Sequence, residues 1–359
     1  MTSLLRHGRR LLFALAAATC VVAGTMGAPG AGAGVRTALA APGRAAPSGA
    51  ARSRGAARAT VGAGRRYATL LFSRSEITAA DGCKRDDTGI ARLDTTVAPY
   101  LQTLGMRGTG SLVTAKTATS ASRCTHNGDS LAVSWDKATS LAQRYGWSFV
   151  SATATYPLRL SSLTPARQWA ETCGSALTLD AHGLPGGHGL IAYPGEQGVP
   201  ATVQARDGAT CFAWGREYNK SGVTTALMGT TAPFWQYTRV LNGGPCNDPS
   251  AWCYTIPATG TVRYVEPGAY IAMIDALKPG QWLTLQAFIL VTGKNPAYTR
   301  NKTRWNCTSS DPAMHWTNDV ERYCYKDFQR IVRAIAERGI TVTDPLTVGK
   351  AFGRPAIYP

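Results

Sequence analysis

The sequence predicts an α/β fold in which parallel strands form either a barrel or a doubly wound sheet. Two observations support this prediction. Short apolar runs of strand length alternate along the chain with longer segments that have helical spacing. The chain also has 359 residues, of which 44% are hydrophobic, and this is enough apolar content for a substantial core.

The predicted strands are short runs of apolar and β-branched residues bounded by glycine, proline or polar turns. They are 67–72, 109–114, 147–153, 189–193, 231–240, 281–291 and 340–342. The predicted helices have apolar residues three or four positions apart. They are 94–104, 134–145, 164–173, 267–277 and 320–338. Asp94 and Ser134 are candidate N-caps, and Gly146 and Gly339 are positioned to end their helices.

The N-terminal part of the chain is predicted to lie outside this fold. Residues 1–40 have the order of a secretory signal peptide, because basic residues precede a short apolar run and the cleavage motif ends at Ala40. The Arg9-Arg10 pair leaves a twin-arginine route open, and Cys20 leaves a lipoprotein route open. Residues 41–66 are rich in Ala, Gly and Arg without periodicity, and we expect a disordered linker.

The basic charge is concentrated in that leader. Residues 1–66 hold ten arginines and no Asp, Glu or Lys, so a formal net charge of +17 leaves +7 for residues 67–359. This distribution favours a solvated leader over a nucleic-acid-binding or membrane-binding arm. The apolar run of the leader is too short to span a bilayer. The chain is therefore predicted to be secreted, with no nucleic-acid partner and no membrane span.

The remaining cysteines predict disulfide bonds. Without Cys20 there are eight of them, Cys83, Cys124, Cys173, Cys211, Cys246, Cys253, Cys307 and Cys324. An even number in an exported chain favours about four disulfides, among roughly 105 possible connectivities. Nearest neighbours are the simplest pairing, which gives 83–124, 173–211, 246–253 and 307–324. No Cys-x-x-Cys pair suggests a zinc ribbon.

Four segments, in chain order, resemble the polysaccharide deacetylase family of the NodB type. They are 100–109 (YLQTLGMRGT), 141–157 (LAQRYGWSFVSATATYP), 189–195 (GLIAYPG) and 276–286 (ALKPGQWLTLQ). The resemblance covers about residues 67–350 and implies one domain over 67–359. It implies a distorted (β/α) barrel of about seven parallel strands, with a site at the carboxyl ends of the strands.

The resemblance also implies where a metal site would lie. Active members carry aspartates after the first strand, two histidines on a later strand, an arginine, and a late histidine. The matching positions here hold Ser73, Arg74, Ser75, Ala152, Tyr156, Ala192 and Gln286. Because these residues supply neither the imidazoles nor the carboxylate that such a metal prefers, we predict no metal or other cofactor.

Other residues are candidates for binding or catalysis. The cleft implied by the resemblance would be lined by Arg74, Glu76, Tyr156, Tyr193 and Gln286, and Trp316 is a further aromatic candidate because aromatic faces bind sugar rings.

Glu76, His315 and Asp319 are the possible catalytic residues. Each has a structural alternative. Glu76 could pair with Arg74, and segment 315–319 could be a helix start capped by Thr317 or Asn318. His182 and His188 are expected to be surface residues of a glycine-rich loop.

Two functions remain open from the sequence. The first is a protein that binds a polysaccharide or cell-wall glycan without metal-dependent deacetylation. The second is an active glycan hydrolase that uses residues outside the family pattern, such as Glu76, His315 and Asp319.

Overall fold

The computed structural model describes ten stretches of the chain. They are residues 64–73, 91–117, 134–157, 159–194, 199–218, 223–225, 235–241, 264–295, 304–317 and 322–354. The predicted leader, most of the predicted linker, Cys83, Cys124, Cys246 and Cys253 lie outside these stretches, as do Arg74, Ser75, Glu76 and Asp319. Among the described helices, none combines the length and apolarity needed to cross a bilayer.

The prediction of an α/β barrel of about seven parallel strands is confirmed. The barrel strands are β1 (Tyr67–Phe72), β2 (Thr109–Leu112), β3 (Ser148–Ser151), β4 (Leu190–Ile191), β5 (Trp214–Tyr218), β7 (Trp235–Val240) and β8 (Gln281–Ala287). Each pairs in parallel with the next in this order, and β8 pairs along its length with β1, which closes the ring. Two strands flank the ring: β6 (Val223–Thr225) lies antiparallel to β8, and β14 (Thr341–Val342) lies parallel to the start of β1.

Eight α-helices are described in these stretches. They are α1 (Ala98–Thr103), α2 (Trp135–Tyr145), α3 (Pro165–Glu171), α4 (Cys173–Ala181), α5 (Ala201–Thr210), α6 (Pro267–Asp275), α7 (Tyr325–Glu337) and α8 (Pro345–Ala351). The helices α4, α5 and α8 and the strand β5 were not predicted. The outward side chains Ala68, Leu70 and Phe72 of β1 pack in the main apolar cluster with residues of the surrounding helices.

Helix ends follow the predicted signals in three of four cases. The Ser134 hydroxyl accepts from the Lys137 amide at 3.2 Å, and Gly146 ends α2 with a φ of 65°. Gly339 follows α7 with a φ of 61°. The prediction of Asp94 as an N-cap is wrong, because a π-helical turn starts one residue earlier and the Asp94 carboxylate pairs with Lys137 of α2.

The predicted start of the last helix, 320–338, is also wrong. Residues 322–324 form β13 (Arg322–Cys324), which pairs in parallel with β9 (Ile289–Val291), and α7 begins only at Tyr325. The chain between these strands adds a small antiparallel sheet of β10 (Lys294–Asn295), β11 (Trp305–Asn306) and β12 (Trp316–Thr317). Thr317 therefore lies in a strand and does not cap a helix.

Two predicted disulfides lie within the described residues, and both form. Cys173 pairs with Cys211 and Cys307 pairs with Cys324, with Cα–Cα distances of 5.4 and 5.6 Å. These distances are ordinary for disulfides. The first bond joins α4 to the residue after α5, and the second joins the small sheet to β13.

The amino-terminal end of the barrel is filled by aromatic side chains and covered by α8. Trp214 and Trp282 are fully buried inside the ring with Tyr67, and Val348 of α8 packs in the same cluster. The Phe352 ring meets Trp214 edge-on, with the ring centroids 6.2 Å apart. This end of the barrel is therefore a packed floor, and the opposite end is the place to look for a site.

Candidate functional site

The carboxyl ends of the barrel strands carry a polar network on one side. We call this end the barrel mouth. Gln286 of β8 donates through its amide to the Ser73 hydroxyl, and its carbonyl accepts from Arg216 Nη1 at 3.1 Å. All three side chains are buried. Because β7 lies between β5 and β8, Arg216 reaches Gln286 across the barrel interior.

The other side of the barrel mouth is apolar. Val113, Ala152 and Ala192 follow or end β2, β3 and β4 and form one buried cluster, and Tyr156 packs against it half-buried. Ala152 and Ala192 stand where the resemblance to polysaccharide deacetylases would place a histidine and an arginine. Their methyl groups instead leave a small apolar surface beneath Tyr156.

The loop after β3 is held in a strained conformation. Thr153 and Tyr156 have φ values of 67° and 60°, and they are the non-glycine residues with positive φ in the described stretches. A β-branched threonine rarely adopts this region, and such residues persist only where surrounding contacts hold them. The Thr153 hydroxyl accepts from the Tyr156 amide at 3.0 Å, and Glu171 accepts from the amide and hydroxyl of Thr155 at 2.7 Å each. These bonds fix the position of Tyr156 at the mouth.

Tyr193 does not face the barrel mouth, so its prediction as a cleft residue is wrong. Successive side chains of a strand point to opposite faces. Because Ala192 lies in the inward cluster, Tyr193 points outward, where it is fully buried and its hydroxyl donates to Asp207 of α5 at 2.8 Å. Burial raises the pKa of Tyr193 well above its ordinary value, and Asp207 adds to this effect.

Asp207 is the centre of this outward cluster. Its carboxylate is fully buried and accepts from Tyr193, from the Thr172 hydroxyl at 3.0 Å and from Arg206. Burial raises the pKa of Asp207 even though the hydrogen bonds from Arg206 and Tyr193 act in the opposite direction. The cluster packs beside the Cys173–Cys211 disulfide, and its contacts indicate a structural role.

This pKa predicts a pH-dependent effect of Asp207→Asn. A carboxyl whose pKa is raised by folding stabilises the fold below the unfolded pKa of about 3.9, and it loses that contribution as the pH rises through the folded pKa. The variant cannot ionise. Relative to the wild type, it should therefore gain stability between about pH 4 and pH 7, measured as urea midpoints at both pH values.

Asp275→Asn is the control for this experiment. The exposed Asp275 pairs with Arg338, and that hydrogen bond lowers the pKa of Asp275. A lowered pKa gives the opposite sign, so this variant should lose a little stability relative to the wild type over the same pH range. If the urea midpoint changed equally with pH in the wild type and in Asp207→Asn, the raised pKa of Asp207 would be contradicted.

The contacts of His315 do not support a role as a catalytic acid or base. The side chain is buried, Nδ1 lies 2.6 Å from Asp327 Oδ2, and Nε2 lies 2.9 Å from the Ser309 carbonyl oxygen. The Tyr264 hydroxyl donates to the same carboxylate oxygen. Both ring nitrogens therefore have acceptors, and these acceptors lie outside the barrel mouth.

The other predicted histidines and Trp316 have separate locations. The expectation of two surface histidines holds for His182, which is exposed and stacks on Trp135 with the ring centroids 3.7 Å apart. It is wrong for His188, which is buried with its nitrogens 2.7 Å from Asp180 and from the Cys211 carbonyl oxygen. Trp316 lies on the small sheet.

The donor atoms at the barrel mouth do not fit a divalent metal. The described positions offer the Ser73 hydroxyl, the Gln286 amide, the Tyr156 phenol and the Ala152 methyl group, without imidazole or carboxylate. Two side-chain groups elsewhere bring potential ligand atoms within 4.8 Å of one another, namely Cys173, Asp207 and Cys211, and His315, Cys324 and Asp327. Their cysteine sulfurs are bonded in disulfides.

Arg216 is the mouth residue that sequence reasoning missed. It lies in the segment 214–218, which was not predicted as a strand because its apolar residues are interrupted by charged ones. The sequence signal that could have identified this strand is the alternation of its side chains between two faces, with a period of two residues. Trp214 and Arg216 share the inward face, as the side chains of a barrel strand alternate.

Comparisons with known proteins give no family assignment. No protein-family model matches the chain, and no curated protein matches it.

Proposed function

We propose that the chain is a secreted protein that binds a polysaccharide or cell-wall glycan at the barrel mouth without metal-dependent deacetylation. The observation that carries the proposal is the network of Ser73, Gln286 and Arg216 at the carboxyl ends of the strands. Hydroxyl and guanidinium groups are suitable partners for sugar hydroxyls, and the fully buried Gln286 holds both groups in place before a ligand arrives.

The apolar side of the mouth supports the same ligand class. Sugar rings have apolar CH faces as well as hydroxyls, and aromatic side chains bind such faces. Tyr156 stands over Val113, Ala152 and Ala192 on the side opposite the polar network. A ring placed between the two sides would have both kinds of partner.

Two further observations favour this proposal. The resemblance to polysaccharide deacetylases implies a site at the same end of the barrel, while the residues at its metal positions do not fit a metal. The two disulfides favour an oxidising compartment, which agrees with the proposed export of the chain.

A glycan array followed by calorimetry with the best ligand tests the proposal. We expect Gln286→Ala to weaken binding by about tenfold or more, because the change removes the residue that links the other two; one charged hydrogen bond is worth about 1.5–3 kcal/mol. Gln281→Ala is the matched control, since Gln281 lies on the same strand at the opposite end of the barrel. It should bind like the wild type.

Three results would contradict the proposal. One is the absence of any glycan ligand on the array. Another is equal loss of binding in the Gln281 and Gln286 variants when both give the same unfolding midpoint. The third is stoichiometric zinc or cobalt in the purified protein, which would reopen the metal-dependent reaction.

A further inference from the structure

The small sheet presents a row of three side chains on its outer face. Lys294, Asn306 and Trp316 are aligned across β10, β11 and β12 by the strand register. Lys294 and Trp316 are exposed, and Asn306 is half-buried. The neighbouring positions Trp305 and Thr317 are buried on the opposite face. Since adjacent strands lie about 4.8 Å apart, the row is about 10 Å long.

This outer face concentrates exposed apolar surface. Three large hydrophobic side chains are exposed in the described stretches, and two of them are Met314, at 62%, and Trp316, at 39%. Met314 ends a 3-10 turn two positions before Trp316, so the two exposed side chains are close together in the chain. Grouped exposed apolar side chains mark binding surfaces more often than scattered ones do. The third, Trp169, lies alone on α3 at 42%.

The buried face fixes the small sheet to the rest of the fold. Cys307 is bonded to Cys324, and His315 reaches Asp327 of α7. The Trp305 indole donates to the Thr292 carbonyl at 2.9 Å, and the Arg322 guanidinium lies 5.3 Å from the Trp305 ring centroid. Because these contacts already hold the small sheet in place, a ligand that binds to it costs little conformational entropy of the protein.

We propose that this outer face is a second glycan-binding surface, with a preference for acidic sugars. The Trp316 indole would stack on the CH face of a sugar ring, and the Lys294 ammonium would pair with a uronate carboxylate. Asn306 accepts from the amide and hydroxyl of Thr308 through Oδ1, so its NH2 group is the end that can donate to a ligand. None of the aligned residues Lys294, Asn306 and Trp316 is acidic, and Lys294 is cationic, which suits an anionic ligand.

Affinity electrophoresis and calorimetry of the full chain with polygalacturonate test this proposal. Its methyl ester is the control ligand, because it keeps the sugar backbone and removes the charge. Trp316→Ala should weaken binding of polygalacturonate about tenfold, as expected for the loss of one stacking ring. Lys294→Gln should weaken it severalfold and reduce its dependence on salt. Trp169→Ala, which removes an equally exposed indole elsewhere, should bind like the wild type.

The two glycan sites can be separated by their variants. Trp316→Ala and Lys294→Gln are tested with polygalacturonate and Gln286→Ala with the glycan found on the array, so failure of one proposal does not entail failure of the other. The proposal for the small sheet is overturned if Trp316→Ala binds as the wild type does, or if the ester binds as tightly as the acid. It is also overturned if an oligonucleotide binds more tightly than polygalacturonate, or if Trp316→Ala abolishes a concentration-dependent dimer.

Discussion

Replacing Trp282 by alanine should lower the free energy of unfolding by about 3–5 kcal/mol, the usual cost of removing a buried indole. The side chain is fully buried inside the barrel and packs against Trp214, with the ring centroids 5.2 Å apart. Its Nε1 donates to the Thr69 hydroxyl at 3.0 Å, and that hydroxyl donates to the Thr343 carbonyl at 2.7 Å. The loss therefore combines a cavity with a broken chain of hydrogen bonds between β8, β1 and the residue after β14.

Guanidinium unfolding followed by circular dichroism measures this effect. Trp169→Ala is the matched control, because the side chain is 42% exposed on α3. The free energy of unfolding of this variant should differ from that of the wild type by less than about 0.5 kcal/mol, as is usual for surface substitutions. Trp282→Phe keeps most of the side-chain volume and loses the indole donor. Its loss of unfolding free energy should therefore lie between those of Trp282→Ala and Trp169→Ala. A loss below about 1 kcal/mol for Trp282→Ala would contradict a packed floor.

Replacing Asp327 by alanine should cost about 2–6 kcal/mol, because two hydrogen-bond donors lose a buried acceptor at roughly 1–3 kcal/mol each. The Asp327 carboxylate is buried at the start of α7 and accepts from His315 and Tyr264. Without it, the buried His315 and the half-buried Tyr264 lose their acceptor. The small sheet also loses one of its attachments to the helix.

A double-mutant cycle measures this effect. Because Asp327 and His315 act as one unit, the double alanine variant should cost less than the sum of the two single variants. Asp275→Ala serves as the control, since its ion pair with Arg338 is exposed on the surface, and it should lower the unfolding midpoint only slightly. Additive losses for the buried pair would show that the two side chains do not depend on each other.

Much of the barrel could be predicted from local patterns. The first strand matches its predicted bounds, 67–72, because a continuous apolar run is typical of a strand buried on both faces. The helix 134–145 was predicted because Ser134 and Gly146 mark its ends in the sequence. The strand β13 was missed because its three residues directly precede a helix with a strong apolar period, and only pairing with β9 makes them a strand.

The site was harder to predict because it depends on which way single side chains point. Tyr193 and Ala192 are neighbours, and a shift of one residue moves a strand side chain to the other face of the sheet. Sequence reasoning therefore placed Tyr193 at the mouth, and the structure places it against Asp207. Arg216 was missed because a buried charge inside a barrel is uncommon and becomes understandable only once Gln286 is seen beside it.

The closure of the barrel has a consequence for the order in which this protein folds. The hydrogen bonds that complete β1 join Thr69 to Trp282, 213 residues later, and to Thr343, 274 residues later. Contacts between residues so distant in sequence form slowly, because a long loop must close before they contribute. A chain emerging from the ribosome thus has its first strand long before the partner strands β8 and β14 have been synthesised. Until α8 follows, Trp214 and Trp282 lack their cover, so the native barrel is completed only after α8 is available.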